Sequence, residues 1–206
     1  MMNTSITPVP LTSITQQGRV VTGPLTQADY EEMKRHTRDW RDTLLLMLFR
    51  ATGFRPVEVS RILYSHLDRQ GPAYLVWMRR AKKRKRDLPY EAIYLNPPLG
   101  QALFAYAVGQ HVEPDGRVFA ISTRQMERVV GAAGLAALGR HVMPKEFRRL
   151  YIVTVAEIAA QVVGYAPQHM EIAQKMVGHE RVNTTWDWYV MLSTDQRRAI
   201  QERVPV

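Results

Sequence analysis

The chain alternates between stretches with a helical apolar period and short segments of extended composition. Thr26 reads as an N-cap, with Asp29, Glu31 and Glu32 in the turns behind it, where negative charge suits a helix start. That helix is expected to end near Arg35. A second, from Arg38 to about Thr52, carries Trp40, Leu44, Leu45, Leu48 and Phe49 on its inner side, and Gly53 closes it. Pro56 suits a first helical turn, and Val57, Val59, Ile62 and Leu63 extend an apolar side to about Tyr64. Ala73–Met78 has strand composition, with Leu88–Leu95 as its return partner.

Further along, Pro97–Gln110 has helical spacing through Leu99, Leu103, Phe104, Tyr106 and Ala107. Glu113-Pro114-Asp115-Gly116 is a turn. Thr123 caps a helix with Met126, Val129, Val130 and Ala133 inside, whose later turns Gly131, Gly134 and Gly139 weaken. Helices are expected from Pro144 to about Tyr165, Pro167 to about Val177 and Val182 to Val190. Ser193-Thr194-Asp195-Gln196 caps a last one to about Val204. Residues 1–24 lack any helical period and read as a flexible arm. The expected architecture is mainly α with a small antiparallel β-sheet, in one domain over residues 25–206.

Apolar residues make up 46% of the 206 positions, enough for a packed interior. There is no cysteine, which removes disulfide scaffolds and thiolate metal sites and fits a reducing cytosol. The longest apolar run, Leu44–Phe49, is far short of the ~20 residues of a membrane span. No secretion signal opens the chain, so a cytoplasmic location is expected. Lysine and arginine outnumber aspartate and glutamate by 28 to 19. The net charge of +9 points to a polyanionic partner, most simply nucleic acid.

The charge is concentrated between the two expected strands. Arg79, Arg80, Lys82, Lys83, Arg84, Lys85 and Arg86 put seven cations into eight residues. Such a tip repels itself unless an anion lies against it. A phosphate backbone would do so; a solvated loop or a nuclear address are the other readings. Arg55 stands at a turn entering a helix, placed either to project into a cleft or to pair on the surface with Glu58. His36, His66, His111 and His169 read as packing or surface residues. There is no HExxH motif and no clustered carboxylates, so no metal or other cofactor is expected.

In chain order, Thr52-Gly53-Phe54-Arg55-Pro56-Val57-Glu58, the lysine-rich segment, Pro144-Lys145-Glu146-Phe147-Arg148, Val177-Gly178-His179 and Thr184-Thr185 with Tyr189 resemble the boxes of the tyrosine recombinases, the phage-integrase family. The resemblance covers about residues 24 to 192. It implies a DNA strand breaking and rejoining enzyme. Tyr189 would attack a scissile phosphate and hold it as a 3′-phosphotyrosyl link. Arg55 and Arg148 would bind the non-bridging oxygens. A hairpin lysine, Lys82 or else Lys83 or Lys85, would protonate the leaving 5′-oxygen. His179 and Lys145 would complete the site, with Arg79, Arg80 and Lys83–Arg86 on the DNA backbone.

Two departures stand out. Lys145 occupies a position where most relatives have histidine, and His141 lies too early to replace it. Tyr189 is one residue further from His179 than is usual; the usual position holds Trp188. An aromatic core cluster of Trp186, Trp188 and Tyr189 is the other reading. Tyr151 and Tyr165 are poorer candidates for the nucleophile.

Most relatives also carry a separate helical DNA-binding domain before the catalytic one. The resemblance therefore implies a minimal recombinase, a fragment, or a protein that borrows a second clamp. Double-stranded DNA, self-assembly as a dimer or tetramer on it, and an accessory DNA-binding partner are the implied partners. The last helix would dock on a neighbouring protomer or fold back on its own. A type IB topoisomerase, a telomere resolvase, or a DNA-binding protein that kept the fold without chemistry are the alternatives.

Overall fold

The computed structural model describes residues 13–14, 20–21, 24–78, 90–163 and 201–205. Two short strands, β1 (Ser13–Ile14) and β2 (Val20–Val21), pair antiparallel in the stretch expected to be an arm. Helix α1 (Gln27–Arg35) begins in a reciprocal cap: Thr26 Oγ1 accepts from Asp29 N at 3.1 Å, and Asp29 Oδ2 accepts from Thr26 N at 2.9 Å.

Helix α2 (Trp40–Thr52) is the centre of the molecule. Leu44, Leu45, Leu46, Leu48, Phe49 and Ala51 are all fully buried, so the helix is apolar on every side. It packs against α1, against α4 (Pro97–Gly109), against α5 (Thr123–Leu138) and against α6 (Pro144–Val163). Phe147 of α6 fills the junction, edge-on to Tyr30 at 6.1 Å and tilted against Phe49 at 6.4 Å. Trp40, expected inside, is 53% exposed. It sits in the first turn, ahead of Asp42, where the buried part of the helix begins.

The third helix is shorter than expected. Helix α3 spans only Pro56–Val59, and the chain then leaves the helix to pair with the turn at 113–118. Val118 N donates to Ile62 O and Tyr64 N to Gly116 O, while Leu63 and Arg117 form an antiparallel bridge. Backbone pairing with a distant segment thus wins over the local apolar period.

The sheet is antiparallel, in the order β3-β4-β5, from β3 (Leu67–Gln70), β4 (Ala73–Met78) and β5 (Glu91–Leu95). The edge strand β3 escapes a pattern reading because Asp68, Arg69 and Gln70 are polar and largely solvent-facing. Gly71, at φ 60°, turns it back into β4.

Gly131 and Gly134 do not interrupt α5. The helix runs unbroken to Leu138 and ends at Gly139 in the left-handed region. A Cβ at Gly134 would stand 2.6 Å from Val142, and one at Gly131 would overlap the His141 ring. These glycines let the segment leading to α6 lie flat on α5.

At the other end of the chain, Gln201–Val204 rests on this same core. Val204 is fully buried, and Asn96 Nδ2 donates to Glu202 O at 3.0 Å and to Val204 O at 3.3 Å. Among the described residues, no helix is long and apolar enough to cross a membrane.

Candidate functional site

The site grows from the turn between α2 and α3. Thr52 fixes that turn, its hydroxyl donating to Leu48 O at 2.5 Å and accepting from Phe54 N at 3.3 Å. Gly53 follows at φ 61°, the left-handed conformation that ends a helix. Phe54 is 1% exposed and anchors the turn in the core. Arg55 is then the extended N-cap residue of α3, with Pro56 behind it.

Glu58, fully buried, faces back toward Arg55. One carboxylate oxygen accepts from Arg55 N at 2.7 Å, the other from Arg55 Nη1 at 3.0 Å. From the opposite side comes Arg148, in the second turn of α6 and 8% exposed. Its Nη1 donates to Gly53 O at 2.7 Å and lies 3.9 Å from the nearer Glu58 oxygen. Two guanidiniums from distant parts of the sequence thus converge on one buried carboxylate.

The electrostatics follow from that arrangement. A lone buried arginine or glutamate pays a large desolvation penalty; paired and hydrogen-bonded, each is tolerated. Two cations against one anion leave an excess of one positive charge among these three groups. The excess sits beside the end of α2, whose last carbonyls carry partial negative charge and help hold Arg148. An anion with two or more oxygens is the ligand such a pair of planar forks suits.

Lys145 lies one turn before Arg148 on α6 and is exposed. The spacing of three places both side chains along one helix face. His141 is exposed in the loop ahead of α6, beside Gly131 of α5, one helix away. Tyr151, one turn after Arg148, is 1% exposed and donates its hydroxyl to Gln201 Oε1 at 2.9 Å. A phenol so enclosed is a core residue.

Deeper in the same helices lies Arg50, 1% exposed. Its Nε donates to Gln27 Oε1 at 2.7 Å and its Nη2 to Thr154 Oγ1 at 3.0 Å. Among the described residues, Nη1 has no hydrogen-bond partner, nor does the nearby Tyr30 hydroxyl. Burial pushes the Arg50 guanidinium down to about 10 and the Tyr30 phenol up.

Of the residues singled out from the sequence, the structure brings Arg55 and Arg148 together and puts Lys145 beside the second. Lys82, His179 and Tyr189 lie outside the described residues, as do Arg79, Arg80, Lys83, Arg84, Lys85, Arg86, Tyr165, Trp186 and Trp188. Glu58 is the residue whose weight the sequence understates. It does pair with Arg55, but in the interior rather than on the surface. Its signal was the position three residues into α3, where a carboxylate reaches back to the N-cap amide.

No protein-family model matches the chain. Tyrosine recombinase XerC of Pseudomonas putida strain F1 is 26% identical over 155 residues, covering 70% of this chain and 46% of that protein. XerC of strain KT2440 is 24% identical over the same length. The chain thus spans about half the length of the curated relatives it matches. Among solved structures, the integrase from mycobacterium phage Brujita superposes with a TM-score of 0.65 at 16% identity, over 91% of this chain and 59% of that one. XerA recombinase gives 0.59 at 17% identity, over 92% and 68%. XerH site-specific recombinase bound to its difH substrate gives 0.51 at 15% identity, over 88% and 57%. By sequence and by fold alike the chain resembles the tyrosine recombinases, and it carries the fold of their catalytic domain.

Proposed function

We propose that the protein is a site-specific DNA recombinase that cuts and rejoins DNA through a 3′-phosphotyrosyl intermediate. The observation that carries the reading is the convergence of Arg55 and Arg148 on Glu58 beside the end of α2. It gives a fixed pair of guanidiniums held against one buried carboxylate. That XerH, a site-specific recombinase, was solved bound to its difH substrate supports duplex DNA as the ligand.

In this mechanism the Tyr189 oxygen attacks the scissile phosphorus and the bond from phosphorus to the 5′-oxygen breaks. Arg55 and Arg148 bind the non-bridging oxygens, most tightly in the five-coordinate transition state. Lys82, or Lys83 or Lys85 beside it, gives its proton to the leaving 5′-oxygen. His179 and Lys145 donate hydrogen bonds to the phosphate or handle the phenol's proton. Arg79, Arg80 and Lys83–Arg86 hold the flanking backbone, so binding falls steeply with salt. Copies assemble on the duplex as a dimer or tetramer, or an accessory DNA-binding partner supplies the second clamp.

A duplex nicked near the cleavage point tests this, with sequences drawn from repeats flanking the coding region. The expected product is a covalent protein–DNA adduct that Tyr189→Phe abolishes. An adduct that survives Tyr189→Phe removes Tyr189 from the mechanism. Binding without an adduct on any such duplex makes the chain a DNA-binding protein without chemistry. Relaxation of plasmids lacking any site favours a type IB topoisomerase, and hairpin-ended products a telomere resolvase.

A further inference from the structure

Helix α1 ends at Arg35, and the chain turns through residues 36–39 before α2 begins. Where that turn faces α5 it leaves a cleft of about 380 Å³. Part of the lining is apolar, from Ile121, Val129 and Ala133. Three arginines line it as well. Arg38 comes from the turn, Arg41 from the start of α2 and Arg128 from the second turn of α5.

One buried carboxylate arranges two of these arginines. Asp42 is 3% exposed, and its Oδ1 accepts from Arg41 Nε at 3.0 Å and from Arg41 Nη2 at 2.7 Å. Its Oδ2 lies 3.7 Å from Arg38 Nε. Beyond the other end of α2, Glu58 stands in the same relation to Arg55 and Arg148. These bonds leave Arg41 Nη1 uncommitted and the Arg38 side chain 80% exposed. Arg128 is exposed, and its side chain makes no hydrogen bond or ion pair among the described residues. With Asp39 3.7 Å from Arg41 Nη2, three arginines face two carboxylates.

Guanidinium forks suit an anion with several oxygens. The cleft falls within the ~300–1,000 Å³ of small-ligand sites, which is more room than a bare ion needs. That room and the apolar lining fit a phosphate together with the sugar it esterifies. We propose that this cleft is a second phosphate-binding site, in which Arg38, Arg41 and Arg128 hold the oxygens of a phosphate ester. The 13 residues of α2 span about 20 Å, so this phosphate is a different one from that at Arg55 and Arg148. The ester is either a nucleotide of the DNA backbone or a free small molecule, and the contact has the same chemistry in both. The inference concerns binding alone and does not rest on the cleavage reading.

The test uses the full chain with Arg38→Gln and Arg128→Gln combined. Both positions are exposed, and Asp42 keeps its bonds to Arg41, so the melting temperature should stay close to that of the unaltered protein. In one arm, fluorescence anisotropy follows the binding of a short duplex at several salt concentrations. The double variant is expected to flatten the slope of log affinity against log salt by about 1, alike on unrelated sequences. In the other arm, equilibrium dialysis measures the binding of adenosine 5′-monophosphate to both proteins. A control, Arg61→Gln with Arg117→Gln, removes two exposed charges outside the cleft.

A slope flattened in the variant and not in the control assigns the cleft to the duplex backbone. Saturable binding of the monophosphate that the variant loses, with no such difference in slope, assigns it to a free ester. With neither result the inference is overturned. If the unaltered chain binds no duplex, the DNA reading falls and the dialysis alone decides this one.

Discussion

Arg148 hydrogen-bonds the backbone carbonyl of Gly53, Nη1 to oxygen at 2.7 Å. The acceptor belongs to the residue that ends α2 and precedes Phe54 and Arg55. One contact therefore ties the two arginines into a common frame. The position of Arg148 depends on a glycine's backbone as well as on the Glu58 side chain, which makes the α2–α3 turn part of the site.

Glu58 is the first place to test that frame. It is fully buried, with Arg55 Nη1 at 3.0 Å and Arg148 Nη1 at 3.9 Å. Glu58→Gln keeps the shape and removes the charge. Leaving two guanidiniums without their shared anion should cost about 3 kcal/mol, as for other buried pairs broken on one side. Urea unfolding should show a lower midpoint with an unchanged slope. A loss under about 1 kcal/mol would mean that the arginines are neutralised elsewhere.

Gly53 and Gly71 make a matched pair. Both have φ near 60°, so alanine at either strains the backbone by about 1–2 kcal/mol. Among the described residues, a Cβ at Gly71 meets nothing within 4 Å, whereas one at Gly53 meets Tyr151 Cδ1 at 2.7 Å. Gly53→Ala should therefore be worse than Gly71→Ala by a further 1–3 kcal/mol or so, the range for overpacking. It should also abolish the DNA adduct, since the Gly53 carbonyl shifts with the clash. Equal thermal midpoints for the two variants would show that Tyr151 yields freely.

Much of this was legible in the sequence, because the capped helices are locally determined. Thr26, Gly53, Pro56 and Pro97 mark helix ends by backbone chemistry alone, and α1, α4 and α6 lie where the pattern puts them. The sequence failed where long-range pairing decides. Ile62 and Leu63 continue a helical period, yet they pair with Arg117 and Val118 across the molecule. The site divides the same way. Arg55 and Arg148 were visible as residue types in an ordered motif. The burial of Glu58 and the reach of Gln201 to Ala51 depend on tertiary packing, and no local pattern encodes them.

His66 gives the pH dependence a sign. Burial holds its imidazole below the ordinary histidine value, and its Nδ1 accepts from Leu63 N at 3.3 Å. As pH falls, the unfolded chain takes up the proton first. The contribution of His66 to stability is thus complete above the ordinary value of about 6.5 and is lost as pH falls through the lower folded value. His66→Asn, which keeps an acceptor near the same place, should flatten the fall in melting temperature between neutral and mildly acidic pH. Parallel curves for the two proteins would contradict this.

Arg50 makes a counterintuitive case. Its guanidinium is buried, pushed down to about 10, and has one nitrogen without a hydrogen-bond partner among the described residues. Its hydrogen bonds run to neutral groups, Gln27 and Thr154. Replacing such a cation by an apolar side chain of similar length is often neutral or stabilising. Arg50→Met is expected to hold or raise the melting temperature. A loss above about 2 kcal/mol would show that the bonds to Gln27 and Thr154 outweigh the desolvation.

Lys145 separates chemistry from stability most cleanly. It is exposed on the Arg148 face of α6, and a surface substitution there should change stability by less than about 0.5 kcal/mol. In the proposed mechanism it supplies a cationic donor. Lys145→Ala should then slow adduct formation by a factor of about 10² or more, the usual contribution of a positioned proton donor. Lys145→His should recover much of that rate. Its activity should fall as pH rises through about 6.5, where imidazole loses its charge. Single-turnover rates for the three proteins across pH 5.5 to 8.5, each with a melting curve alongside, read the two effects separately. Equal rates for Lys145→Ala and the unaltered protein would remove Lys145 from the site and leave the anion to the two arginines and the residues beyond α6.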